Sequence, residues 1–243
     1  MISRKVFGRL HHPQFRMRGQ ETHRVEALSD AVFAFSVSLL VVSLEVPQSF
    51  DELKVILKGA IPFFATVAMV FLFWYQQYKF FRYYGLNDRI IIFLNLTYLA
   101  VILFYIYPLK FLFSLLLTSW TGIDLFPQAA AKGIPIIRQN DLSQLIILFS
   151  IGYCLIWVLL FSMYKRAFHF RKSLALNQFE ILYTRKEIVG SAWNAGIGLA
   201  AILSAIAGWD ILSGICYLFI PVILIFLNLI YTRKEKLAAE KNL

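Results

Sequence analysis

Two cysteines, Cys154 and Cys216, are too few for a disulfide framework, and each stands alone inside a strongly apolar stretch. Histidine is almost as scarce. His11, His12 and His23 fall in a basic N-terminal segment and His169 in a basic connector, so no apolar stretch holds the convergent ligands or proton carriers of an enzyme or a metal site. The central turns of the apolar stretches contain no Asp, Glu, Lys or Arg. Such groups near the bilayer midplane mark transporter pathways, and their absence weighs against a secondary transporter. No internal repeat or low-complexity tract interrupts the chain. The first 24 residues lack the short apolar core and small-residue cleavage site of a signal peptide, which makes the first apolar helix an expected uncleaved anchor.

What is abundant is apolar surface: 59% hydrophobic residues, 16% charged, mean hydropathy +0.67. Soluble domains hold about 45–50% apolar residues. A crossing needs about 20 mostly apolar residues. Six stretches meet that length, near 27–46, 59–78, 90–107 with an apolar extension to 120, 142–164, 189–208 and 210–231. The extension beyond Pro108 and Lys110 is too short to cross alone and reads as a bent continuation or an interfacial piece. The expectation is an all-α polytopic membrane protein: a basic segment 1–26, a six-helix domain 27–231 and a tail 232–243.

The formal charge of +10 has an orienting use. Cytoplasmic loops retain Lys and Arg, and alternate assignment of the loops places nineteen of the 24 inside. Lys54, Lys58, Lys110, Lys132 and Arg138 remain outside. Both termini are therefore expected in the cytoplasm, and topology with attraction to anionic lipid accounts for the charge without nucleic acid. The connector 165–188 mixes basic residues with Phe168, Phe170, Leu174, Leu176 and Phe179, which suits a lipid surface. On the fifth stretch Ala192, Gly196, Ala200, Ser204 and Gly208 recur every four residues and predict a close-packing edge.

The most informative run is Arg24-Val25-Glu26-Ala27-Leu28-Ser29-Asp30 at the mouth of the first apolar helix. On residues alone Arg24 is either an orienting charge or part of a polar clamp with Ser29 and Asp30, and Asp30 either caps the helix or pairs within it. At about 100° per residue, Phe35, Leu39 and Val42 lie within roughly 60° of one another, with Ser38 and Glu45 beside them, while Asp30 lies about 140° from Phe35. Such a stripe faces lipid, a partner or a pore. Asn95-Leu96-Thr97-Tyr98-Leu99 precedes Pro108 in the third stretch, and Asn95 suits an interhelical hydrogen bond. The second ends in Trp74-Tyr75-Gln76-Gln77.

The Arg-x-x-x-Leu-Ser-Asp run and the Asn-Leu-x-x-Leu run followed by Pro resemble the transmembrane protein 175 family, the potassium channels of lysosomes and their prokaryotic relatives. The family usually shows Phe where Leu28 stands and His after the Trp of helix 2, where this chain has Gln76 and Gln77. The resemblance implies a potassium-permeable cation channel, a homotetramer whose central pore is lined by helix 1. It implies a constriction at Phe35, Leu39 and Val42, a hydroxyl ring at Ser38, and a structural clamp from Arg24, Ser29 and Asp30. Glu45 near the outer mouth would attract cations. An apolar ring gates by dewetting, and with no Thr-Val-Gly-Tyr-Gly loop to form a carbonyl cage, modest potassium preference is expected, with leakage of other monovalent cations. The expected partners are potassium, other monovalent cations and the lipid bilayer, with no cofactor, and the expected site is a prokaryotic plasma membrane. The alternatives are a secondary transporter and a non-conducting membrane scaffold.

Overall fold

A computed structural model describes residues 15–42, 47–123, 125, 126, 133, 135–138 and 141–240. Among them every regular element is a helix: α1 (Arg24–Val42), α2 (Phe50–Lys58), α3 (Ala60–Tyr84), α4 (Arg89–Thr121), α5 (Asp141–His169), α6 (Gln178–Ile206), α7 (Asp210–Cys216) and α8 (Phe219–Glu240). Five stretches are long and apolar enough to cross a membrane: α3, α4, α5, α6 and Asp210–Tyr231. The 19-residue α1 carries Arg24, Glu26 and Asp30 in its first two turns.

The helices associate as neighbours in sequence. α1 packs on α3 and α4, α4 on α5, α5 on α6, and α6 carries α7 and α8. One apolar core joins α1, α3, α4 and α5 through Phe33, Leu40, Phe73, Tyr98, Ile102, Tyr105, Ile156 and Leu160. A second core of Phe15, Phe80, Phe81, Tyr83, Tyr84, Tyr164, Phe179 and Tyr183 closes the end of the bundle where α3 and α5 finish and α4 and α6 begin. Arg18, Lys79, Arg82, Arg166 and Arg185 surround this second core and make it the basic end of the molecule.

Capping chemistry sets several boundaries. The Asp88 carboxylate accepts from the Ile90 amide at the start of α4, and Gly85 and Gly122 end α3 and α4 in the left-handed conformation that glycine adopts without a Cβ penalty. Asn177 and Glu180 form a reciprocal capping box at the start of α6. The short α2 begins in the same manner, with the Ser49 hydroxyl accepting from the Glu52 amide at 3.2 Å.

The extension past Pro108 is the continuation, one of the two readings left open by the sequence: it is part of one 33-residue helix, α4, which carries Pro108 in its interior. Two features depart from the sequence reading. The sixth stretch is divided: Tyr217 and Leu218 form a turn between α7 and α8. Pro221 explains it, since it has no amide to give Tyr217 and its ring crowds that carbonyl. On α6 the regular small-residue edge faces outward at Ala192, Gly196 and Ala200, and the packed face is Ser191, Asn194, Gly198, Ala201 and Ala205. A Cβ on Gly198 would stand 3.1 Å from the Cβ of Cys154, and Tyr153 donates to the Asn194 carbonyl oxygen at 2.6 Å. A polar side chain that needs a buried partner sets the rotation of this helix more firmly than a row of alanines does.

Close packing between α4 and α5 depends on Gly152, because a Cβ there would overlap the ring of Tyr105, a residue only 3% exposed. Gly152→Ala is expected to lower stability by about 1–3 kcal/mol through overpacking. The check is thermal unfolding of the purified protein in detergent, and an unchanged midpoint would refute this packing argument.

Candidate functional site

The two sides of α1 differ sharply. Glu26, Ser29, Phe33, Ser36 and Leu40 are buried against α3 and α4, whereas Ala27, Ala31, Ala34, Phe35, Ser38 and Val41 are exposed. The two sets centre roughly 160° apart at the helical repeat. Within one chain, a whole face of the helix is bare.

Phe35 is 57% exposed on that face. Ser38 lies one turn on, its hydroxyl donating to the Ala34 carbonyl at 3.1 Å, which leaves its lone pairs free to face outward. Leu39 is half-buried at the edge between the two faces. Val42 is the last residue of α1, and its side chain, like the whole of Glu45, lies outside the described residues.

The opposite face is held by polar side chains at its basic end. Ser29 is 1% exposed, donates to the Val25 carbonyl at 2.7 Å and accepts from Asn95 Nδ2 on α4 at 2.9 Å. Asn95 Oδ1 accepts in turn from Gln77 Nε2 on α3 at 2.6 Å, so an unbroken buried chain of bonds joins three helices. Beside it Asp30 Oδ1 accepts from the indole N–H of Trp74 at 2.8 Å, and the Tyr98 hydroxyl donates to the Phe73 carbonyl at 2.9 Å. Ser29 and Asp30 thus bond to neighbouring helices rather than to each other. Arg24 is exposed at the first turn of α1 and makes no hydrogen bond or ion pair with any described residue.

Trp74 and Gln77 were not assigned a part by sequence reasoning, although both are hydrogen-bonding groups in an otherwise apolar helix. They lie three residues apart, hence on one side of α3, and that spacing is a readable signal. Among the described residues no group of three or more His, Cys, Asp or Glu is placed to hold a metal ion.

Residues 24–105, the stretch that contains α1, α3 and half of α4, match the profile of the family described as endosomal/lysosomal potassium channel TMEM175. A potassium channel of Marivirga tractuosa is 35% identical over 222 residues, which is 88% of this chain and 90% of that protein. A potassium channel of Streptomyces collinus is 35% identical over 88 residues, 34% of this chain and 43% of its own length. Among solved structures, a variant of the potassium channel MtTMEM175 in complex with a nanobody fusion superposes with a TM-score of 0.80 at 32% identity, covering 92% of this chain and 99% of that one. A TMEM175 homologue from Chamaesiphon minutus shares the fold, with a TM-score of 0.53 at 20% identity over 86% of this chain and 96% of its own.

Asn95 is the middle link of the bonded chain, and its removal orphans a Gln77 donor and deprives Ser29 of its partner. Asn95→Leu is expected to cost about 1–2 kcal/mol. Gln77→Leu combined with Asn95→Leu should cost less than the sum of the single changes, because a missing partner is penalised only once. Thermal midpoints of the three variants test this, and strict additivity would show that the bonds are not coupled.

Proposed function

This chain belongs to the TMEM175 family of potassium channels, and from that premise we propose that it is a passive, potassium-permeable cation channel whose pore is lined by α1. It acts as a homotetramer around a central axis, which supplies the cover that the bare face of α1 lacks in a single chain. Six crossings, α1 included, place both termini and the basic end in the cytoplasm of a prokaryotic plasma membrane. The observation that carries this reading is the two-sidedness of α1: Ser29, Phe33, Ser36 and Leu40 packed inward, Phe35 and Ser38 left facing outward.

Four copies of Phe35 brought together on an axis form an apolar plug, with Leu39 and Val42 as further rings toward the outer end. A hydrated cation cannot pass a ring that offers no replacement oxygens, so the ring blocks by dewetting until it widens. Ser38 is the nearest hydroxyl to the plug. Its four copies offer lone pairs to a partly dehydrated ion, and Glu45 concentrates cations outside. Potassium preference is modest, because flexible hydroxyls define a cavity less sharply than fixed backbone carbonyls. Ser29 and Asp30 contribute by fixing the rotation of α1, and Arg24 by facing the cytoplasmic entrance.

Purified protein in liposomes under a potassium gradient tests the assignment. Phe35→Ala should raise potassium flux about tenfold or more, corresponding to roughly 1.4 kcal/mol off the barrier, and Ser38→Ala should reduce the preference for potassium over sodium. Parent and variant vesicles that stay as tight as empty ones at all voltages would defeat the assignment.

A further inference from the structure

The residues just before α1 run as an ordered, non-helical strap across the basic end. Phe15 is 5% exposed and stacks on Tyr83 of α3 with ring centroids 4.3 Å apart, edge-on to Tyr183 of α6 at 5.4 Å. Arg18 then reaches Glu180 on α6, 162 residues away in sequence, with two parallel bonds: Nη2 to Oε2 at 2.6 Å and Nη1 to Oε1 at 3.0 Å. Glu180 is 1% exposed, and it also accepts from the Arg16 amide at 2.9 Å and the Asn177 amide at 3.0 Å. Arg18 Nε donates to the Leu174 carbonyl at 2.9 Å in the connector between α5 and α6.

Gly19 completes the strap. Its amide donates to the Arg82 carbonyl at 3.2 Å, and its own carbonyl accepts from Arg82 Nη1 at 3.0 Å. A Cβ at Gly19 would overlap the Phe81 carbonyl, so only glycine passes this point without a shift. A short step further along the chain α1 begins at Arg24, with the Glu26 and Ala27 amides donating to the His23 carbonyl.

α1 itself packs only on α3 and α4, among the described helices. Its link to α6 runs through this strap, joined by Val25 in its first turn, which packs against the aromatic core that α6 shares. Burial works against the charge of Glu180, which lies in the polar first turns of α6 ahead of its apolar part. The bonds from Arg18, Asn177 and Arg16 overcome that and hold its carboxyl below the usual range. A bidentate Arg–carboxylate pair with backbone partners on both sides is geometrically specific and does not slide.

We propose that Arg18 and Glu180 are positioning residues for conduction: their pair pins the entry to α1 against α6 and holds the constriction at Phe35 in its narrow state. This rests on the reading that α1 lines the pore. Movement of α6 relative to α3 is then transmitted to the gate through the strap, and releasing the pair frees α1 to tilt.

The test compares potassium flux into liposomes for the parent, Phe35→Ala, Arg18→Gln/Glu180→Gln, and the triple variant combining all three changes. The paired change removes both charges together, so no buried charge is left unpartnered. It is expected to raise flux about five- to tenfold in the parent, with little further effect in the Phe35→Ala background, where the gate is already gone. Arg18→Lys, which keeps the charge but loses the fork, should give a smaller rise and serves if the paired variant fails to fold. Raised flux from Phe35→Ala with parental flux from the strap variants overturns this proposal and leaves the pore assignment standing. An equal rise in both backgrounds overturns it as well, since the effect would not pass through the constriction. No change in any variant removes the pore assignment and the strap's role with it.

Discussion

The buried bond chain from Gln77 through Asn95 to Ser29 is the constraint on which the rest of the molecule turns. In hydrocarbon there is little hydrophobic drive between apolar helices, and van der Waals packing has many near-equivalent solutions. A buried amide has few. Asn95 is fully buried, and its Oδ1 and Nδ2 reach α3 on one side and α1 on the other. Once those bonds are formed, α1 has one allowed rotation, and the identity of its bare face follows.

That rotation was not legible from the spacing of apolar residues. Both faces of α1 are apolar, with Phe33 and Leu40 on one and Phe35 and Leu39 toward the other, and a serine occurs on each, Ser36 and Ser38. Helical periodicity reveals a buried face only where the opposite face is more polar, and α1 offers no such contrast. The sequence carried the answer only in its polar interruptions at Ser29, Asp30, Trp74, Gln77 and Asn95. Of these, Ser29 and Asp30 stood out because of the run they belong to, and Asn95 because a lone amide in an apolar helix needs a partner. Trp74 and Gln77, both on α3, gained meaning only when that helix was laid beside α1 and α4.

Helix positions were readable to within a turn where the membrane dictated them, and poorly where it did not. α3 continues through Lys79 and Arg82 to Tyr84, and α6 starts at Gln178, eleven residues before the apolar stretch. A reading by hydropathy ends a helix at its charges. Here those turns are held by a second, aromatic core outside the apolar layer, where Phe80, Phe81, Tyr83, Tyr84 and Tyr183 pack around Phe15. The Lys79–Glu187 and Arg166–Asp88 pairs rim that core. The connector looked like a basic surface segment because Glu180, its buried acid, answers an arginine far away in sequence; no local pattern announces such a pair.

These two cores divide the work differently. The membrane core fixes which face of α1 is bare, through bonds that stay within α1, α3 and α4. The basic-end core reaches α6 and meets α1 at its entry, through the strap of residues 15–23 and Val25 in the first turn. A helix held rigidly in rotation by one set of contacts and tethered at its entry by another keeps one soft coordinate, tilt about its anchored end. In the proposed tetramer, with Phe35 about three turns of helix from Arg24, a tilt of a few degrees displaces each side chain by roughly 1 Å. In a dewetting gate the radius matters more steeply than the chemistry of the ring, so displacements of that size separate blocked from conducting. Under the proposed pore reading, closure would come from packing bulky rings and selection from one layer of rotatable hydroxyls, two separate demands on the same face of α1.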